Sequence, residues 1–489
     1  MLDLALTGFV LLILAMGTRR PFVWVLAYLY IDIVSPQKIT YHMLNSIPIS
    51  LIAFILAVVG WLAFDRKDGV HFTFRQALIL LLLIYCGITT QTADFPQDAA
   101  DKWAWVWKSL VFAMFLPFTL RTRLRVEAAA LIMCLSAGSI VICGAIKTLL
   151  GGGGYGMLRL FVNDNTGLYE GSTISLLAIA IIPLIQWLAR HGTIFPPEKR
   201  TRLFANALSF ACLLIPIGTE ERTGLICAAM LGVILLRSVK NKGLYIAGTA
   251  VALLIAVPLL PATYTMRMDT IKNNQSDQSA ATRLAMWKWT LGYAADHPFG
   301  GGFASNLGSH IKIVLTNSES SGNTTAVEKT VITDDQRAFH SSYFEMLGEQ
   351  GWPGLILWLI LNFGGMFQLE ATRRKLKGSD DPRDRSDAAL ATALQQGHLC
   401  YLVGAAFVGI AYQPFVYSLI GLQIGLNQLV TARVNARKPK AERKMVVPAG
   451  ERAGTAGSYP PAAAGAYAPA VSKPASGRPG MVLPTRPTN

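Results

Sequence analysis

Apolar residues in this chain come in long unbroken blocks, near 2–16, 21–34, 46–64, 76–92, 104–120, 126–149, 172–190, 203–218, 223–238 and 243–260. Three more follow, near 353–370, 397–412 and 415–433, after one long polar interruption at 262–345. A helix needs about 20 apolar residues to cross a bilayer, and most of these blocks approach or reach that length. The first two are short, so the pattern predicts about twelve spans. Period-two alternation is absent, which argues against a barrel. The expected fold class is all-α: a polytopic membrane protein with a transmembrane bundle at 1–261, a polar loop with amphipathic helices at 262–352, and C-terminal transmembrane helices at 353–435. The remainder, 436–489, is rich in Pro, Ala, Gly and Lys without apolar periodicity, and is expected to be a disordered cytoplasmic tail.

Inside the polar interruption, 280–295 places Leu284, Trp287, Leu291 and Ala294 at helical spacing. This is the apolar stripe of an amphipathic helix, lying on the membrane surface or against the bundle. The segment 300–335 is rich in Gly, Ser, Asn and Thr and reads as a mobile loop. Ser342 and Glu345 have capping-box spacing, so a helix is expected to start there. Gly351 and Pro353–Gly354 are expected to break it before the next span.

Composition agrees with a membrane protein, with 52% hydrophobic and only 15% charged residues. The net charge of +15 is no sign of nucleic acid, because Lys and Arg concentrate in alternate short connections. These are Arg19–Arg20, Arg66–Lys67–Arg75, Arg121–Arg123–Arg125, Lys199–Arg200–Arg202, Lys240–Lys242 and Arg373–Arg374–Lys375–Lys377. Cytoplasmic loops carry such an excess. With these connections inside, Asp94–Asp101, the glycine-rich 151–171, the Glu220–Arg222 turn and 262–345 fall outside. The glycine run 151–154 reads as a flexible turn. The N-terminus is apolar without a basic n-region or cleavage site, and reads as a retained first helix. The six cysteines sit in apolar segments without CxxC spacing, as small buried hydrophobes.

Three polar residues stand out on the outer side. Arg222 lies in GTEERTG between two spans. It is either an interfacial anchor or a planar fork for phosphate oxygens. Arg283 is expected in the first turn of the amphipathic helix, where the dipole is positive and an anion is welcomed. The alternative is an interfacial arginine touching headgroups, the reading given to Lys288 and Arg267. His340 precedes the expected helix start, whose positive end keeps an imidazole neutral, as a general base requires. The alternative is a polar residue at an exposed helix start. His297 reads as a turn residue, and His42, His71, His191, His310 and His398 have no evident partner in sequence.

No outer loop holds a compact metal-ligand set, and the chain has no Walker motif and no Gly-x-Ser-x-Gly elbow. The chemistry expected is therefore free of metal, cofactor and covalent serine intermediate. A transporter would place ionisable residues along a mid-membrane path, for which Lys108 and Lys147 are the few candidates. A scaffold would leave the Arg–Arg–His grouping without purpose.

At these residues the chain resembles the O-antigen ligase and polymerase superfamily of bacterial inner-membrane glycosyltransferases. Three blocks carry the resemblance: RTGLICAAMLGVILL, RLAMWKWTLGYAADHPFGGGF and HSSYFEMLGEQGWPGLILWL. The third, with DNTGLYEGSTISLLAIAIIPL and RRPFVWVLAYLY, looks closest to the branch described as exosortase-associated O-glycosylation ligases. The resemblance implies a GT-C-like fold with its large loop on the periplasmic side of the inner membrane. It implies an undecaprenyl-diphosphate-linked glycan as donor, with Arg222 and Arg283 holding the diphosphate and His340 as the essential histidine. A ligase would use lipid A–core as acceptor; a polymerase joins repeat units, and a protein O-oligosaccharyltransferase modifies protein. One departure is Glu221 before Arg222, where the family often has serine.

Overall fold

In a computed structural model of the protein, the described residues are 2–40, 42–67, 71–150, 167–236, 241–256, 278–321 and 324–437. The glycine run 151–154, Arg267 and the tail from 438 onward lie outside them, so the expectations of a flexible turn, a headgroup contact and a disordered tail do too. Residues 1–437 form one compact unit.

The elements are helical with one hairpin. The first seven helices are α1 (Leu2–Arg19), α2 (Phe22–Val34), α3 (Pro36–Ile39), α4 (Ile49–Phe64), α5 (Phe74–Gln91), α6 (Pro96–Thr119) and α7 (Arg123–Leu149). Then come α8 (Gly171–His191), α9 (Lys199–Gly218), α10 (Arg222–Leu236), α11 (Lys242–Ala256) and α12 (Gln278–Asp296). Strands β1 (His310–Ser321) and β2 (Thr324–Asp335) precede α13 (Ser342–Leu376), α14 (Pro382–Gly404) and α15 (Pro414–Arg437). Among the described residues six helices are long and apolar enough to cross a membrane: α5, α7, α8, α9, α13 and α15. Three shorter apolar helices, α2, α4 and α10, accompany them.

The bundle is built around α8, whose apolar window is 83% buried against α14, α9, α10 and α7. Helix α9 is peripheral, with only 28% of its window covered. The core is closed by large side chains that are almost wholly enclosed, among them Tyr28, Tyr401, Tyr412, Tyr417, Phe112 and Trp358. All six cysteines are free thiols, five buried and Cys143 half-buried.

Several expectations are corrected. Segment 300–335 is not a structureless loop, because β1 and β2 pair antiparallel with His310 opposite Asp335 and Ile313 opposite Ile332. Eleven of these 24 residues are Ile, Val or Thr, whose branched side chains favour a pleated surface. His310 and Lys312 are exposed while Ile311 and Ile313 are buried, a short period-two signal.

The stripe expected on α12 is divided. Leu284 and Leu291 face outward at 63% and 50% exposure, whereas Thr282, Met286, Thr290 and Ala294 are buried. Met286 packs with Ile311, Ile313 and Phe339 in a satellite core against the hairpin. The contact that α12 makes with β1 and α13 therefore decided its inward face, and the leucines are left for the surroundings.

Helix α13 starts at Ser342, but no capping box forms. Ser341 is the cap residue, without a side-chain bond. Ser342 Oγ donates to Val408 O at 2.8 Å, and Glu345 accepts from Ala411 N at 2.9 Å, so both side chains grip the 405–413 loop. At Gly351 (φ 62°, ψ −165°) the helix is kinked, yet it resumes and continues to Leu376. Arg75 is not a loop charge either: it is buried at 4% exposure in the first turn of α5.

Candidate active site

The site gathers at the start of α8. Glu170 is the N-cap residue, and its carboxylate accepts from Ser172 N at 3.1 Å, Thr173 N at 2.6 Å and Thr173 Oγ1 at 2.6 Å. An anion there satisfies free N–H groups and meets the positive helix end. The Arg222 turn lies directly on this helix start. A Cβ on Gly171 would sit 3.6 Å from Thr219 Cβ and 3.7 Å from Glu221 Cγ. One on Gly224 would come within 2.1 Å of Ser175 Oγ and 2.7 Å of Pro216 Cγ, so only glycine permits the approach of α10 to α8. Glu220 takes a left-handed backbone (φ 55°) to make the turn, and Arg222 becomes the first residue of α10.

His340 lies within electrostatic reach of Glu170. Phe339 fills the satellite core, and its carbonyl accepts from Trp287 Nε1 at 3.0 Å. Trp287 in turn stacks on Phe344, with ring centroids 5.0 Å apart and planes at 7°. The chain then turns through a left-handed His340 (φ 49°). Such a conformation in a non-glycine residue costs about 1–2 kcal/mol and persists where surrounding contacts enforce it.

Burial lowers the His340 pKa from its ordinary 6.5, and the positive charges of Arg283 and Arg337 lower it further, while Glu170 pulls the other way. This direction favours the neutral imidazole at pH 7. The main cause is burial, and the added causes are Arg283 and Arg337. Because α12 begins at Gln278, Arg283 lies in its second turn, where the helix dipole is weaker than in the first. His340 therefore feels Arg283 and Glu170, and the turn that carries Arg222 packs on the α8 start that Glu170 caps. Glu170 and Arg337 were not singled out in the sequence. Arg337 is held by its backbone N–H to Ser309 Oγ at 3.0 Å and its Nε to Asp334 at 2.5 Å.

Beneath His340 lies a cluster that sequence reasoning missed. Lys102 of α6 donates to Glu345 Oε1 at 2.7 Å and to both Glu349 oxygens at 2.8 and 3.0 Å. Glu349 also accepts from Ala304 N at 3.1 Å. The ammonium stands 4.9 Å from the Tyr412 ring centroid. The visible signal was Glu345 and Glu349 at i, i+4 on one helix face, with a lone lysine near the start of α6.

The HPFGGGF turn and the kink in α13 form a backbone clasp. Gly301 N donates to Gly348 O at 3.1 Å, Gly302 N to Glu349 O at 2.9 Å and Trp352 N to Pro298 O at 3.0 Å. A Cβ on Gly351 would lie 2.3 Å from Pro298 O, and one on Gly300 2.5 Å from Glu349 O. His297 caps the turn, stacked on Tyr293 at 4.4 Å, while Tyr293 donates to Asp94. The two glycine-bearing blocks of sequence are therefore the two halves of one contact that fixes α12 against α13, and with them Arg283 against His340.

Residues 207–359 match the family model described as O-Antigen ligase, and residues 1–193 match one described as a family of unknown function (DUF5935). No curated protein matches the chain. The O-antigen ligase match contains Arg222, Arg283, His340, both halves of the clasp and Glu345–Glu349. The match covers the part of the fold that forms the site, and it supports the O-antigen ligase and polymerase superfamily for this region of the chain.

Proposed function

We propose that the protein is an inverting, metal-independent O-antigen ligase, working on the periplasmic face of the inner membrane. The observation that carries this reading is a half-buried His340, its pKa lowered beside Arg283, at a helix start that also receives the Arg222 turn. The donor is glycan on undecaprenyl diphosphate, with its diphosphate between Arg222 and Arg283. The acceptor is a sugar hydroxyl of lipid A–core.

His340 takes the hydroxyl proton as the oxygen attacks the anomeric carbon. The carbon–oxygen bond to the diphosphate breaks, its electron pair leaves with undecaprenyl diphosphate, and the configuration inverts. The guanidinium groups oppose the negative charge that grows on the leaving group, which is where preorganised charge acts most strongly. A general base typically contributes about 10²–10⁴-fold. The same neutral imidazole is poorly placed to act as a cation toward the diphosphate, which separates its role from that of the arginines.

The test is transfer by the purified full chain, in chelator, from lipid-linked glycan to lipid A–core, read as a mobility shift on an SDS gel. Loss of transfer in His340→Ala is expected. Turnover that persists in that variant, or that depends on an added divalent metal, overturns the mechanism. Transfer to a growing glycan or to protein keeps the chemistry and assigns a different acceptor.

A further inference from the structure

At the opposite end of α8 from Glu170 lies a cavity of about 310 Å³ between α7, α8 and α9. Along α8 the separation from the candidate site is roughly 25 Å, at 1.5 Å per residue from Glu170 to Ile185–Ala189. Its walls are apolar: Leu131, Leu135, Leu188, Phe195, Phe204 and Leu208. Glu127 is the one acid in the lining, and it is consumed by the loop that closes this end. It accepts from Thr193 Oγ1 at 2.6 Å and from Ile194 N at 2.7 Å. Water needs two to four polar partners to occupy such a space, and this lining does not offer them. The volume holds roughly ten groups the size of a water molecule, at about 30 Å³ each. That suits a stretch of hydrocarbon chain and is far too small for a folded partner.

Three cations stand at the mouth. Arg200 lines the cavity, and Lys199 and Arg202 flank it in the first turn of α9. All three are exposed, and none has an ion-pair partner among the described residues. Phe195 and Phe204 beside them are 54% and 52% exposed. Glu198, the N-cap residue of α9, makes no side-chain cap bond and leaves these residues a net charge of +2, which a positive helix end disfavours unless a further anion answers it. The tail from 438 carries more Lys and Arg than Asp and Glu, so its charge does not complement this mouth.

We propose that this cavity binds an anionic glycerophospholipid, with one acyl chain between α7, α8 and α9 and the phosphate held by Lys199, Arg200 and Arg202. Basic residues near a bilayer surface favour anionic lipid by about fivefold each. The site would tie the weakly covered α9, and with it the Arg222 turn at the far end of that helix, to the lipid of the opposite leaflet. The proposal stands whatever sugar or acceptor the enzyme uses.

The experiment is native mass spectrometry of the purified full chain in detergent, offered phosphatidylglycerol or phosphatidylcholine with identical acyl chains. Retention of phosphatidylglycerol is expected to exceed that of phosphatidylcholine at least about tenfold. The triple variant Lys199→Gln, Arg200→Gln, Arg202→Gln is expected to bring the two level. Ala205→Phe, which fills the cavity from α9, should lower retention of both. Should that variant lose its monodisperse elution profile, Leu135→Trp obstructs the same cavity from its exposed rim. Equal retention of the two lipids by the native chain overturns the headgroup site, and unchanged retention in the cavity-filling variants overturns the acyl-chain site.

Discussion

The two ends of the α5–α13 pair bury polar groups in opposite ways. At the end near His340, Lys102 is shared by Glu345 and Glu349, and Thr89 Oγ1 donates to Gln350 Oε1 at 2.7 Å. At the other end Arg75 meets no carboxylate among the described residues. Its Nη1 and Nη2 reach Gln368 at 3.2 Å and Gln423 at 2.9 Å. Gln423 donates on to His398 Nδ1 at 2.7 Å, and His398 Nε2 faces Asn362 Oδ1 at 3.0 Å. Gly365 makes room for the guanidinium, since a Cβ there would lie 2.4 Å from Arg75 Nη2.

The first arrangement sets one ammonium against two carboxyl groups and also holds the backbone at Ala304 and Ala411. The second solvates one charge with neutral amides inside the bundle. Opposed buried charges are costly to break singly and cheap to replace together, whereas an amide network loses its partners one bond at a time. The difference teaches which end is stiff: the charged cluster fixes the start of α13, and through it the left-handed His340, while the amide network joins helices without fixing a reactive group.

Lys102→Met leaves two buried carboxylates facing each other and is expected to destabilise by about 3–5 kcal/mol, read as a fall in thermal midpoint of the purified protein. The triple variant Lys102→Met, Glu345→Gln, Glu349→Gln should recover much of that loss. A triple variant as unstable as the single one refutes the account of opposed charges.

Next in size is His340→Gly. Transfer is expected to fall by about 10²–10⁴-fold, the contribution of a general base. The thermal midpoint should hold or rise, because glycine adopts φ 49° without strain. A fall in midpoint that matches the fall in activity would make the histidine structural.

Arg75→Met at the amide end strands the carbonyl oxygens of Gln368 and Gln423 and is expected to destabilise by about 1–3 kcal/mol. The KM for donor should stay unchanged, and a large rise in KM would place Arg75 in substrate binding.

The smallest effect is one of pH. The His340 pKa lies below 6.5, so the acid limb of kcat/KM belongs below that value. Stability attributable to this group is lost as pH falls through 6.5, because the unfolded imidazole takes up a proton that the folded one resists. Arg283→Gln removes a repelling charge and should move the acid limb of the residual activity upward toward 6.5. A limb that does not move separates the two residues.

Much of this was legible along the chain. Blocks of apolar residues announced helices, and the starts of α7 at Arg123, α10 at Arg222 and α13 at Ser342 fall close to where the blocks and caps placed them. Arg222, Arg283 and His340 stood out because charge is scarce here, and the glycine turn and GEQGWPG stood out because glycine and proline punctuate helices. The hairpin was hidden by polar composition: its β-branched content and its four-residue alternation at 310–313 compete with a surplus of Gly, Ser and Asn across 300–335. Lys102 was hidden because a lysine near a helix start reads as an interfacial charge, and its partners lie more than 240 residues away.

The sequence by itself determined that this is a helical membrane chain and which polar residues are scarce enough to matter. Hydropathy and charge are properties of each segment alone, so they survive being read in one dimension. Only the tertiary structure decided which face of α12 turns inward, that the capping-box residues grip another loop, and that Arg75 is buried. Those outcomes depend on which groups from distant segments compete for the same donors and the same space. The electrostatics of His340 belong to the same class: its neutral state comes from enclosure and from Arg283 and Arg337, charges brought to it by folding.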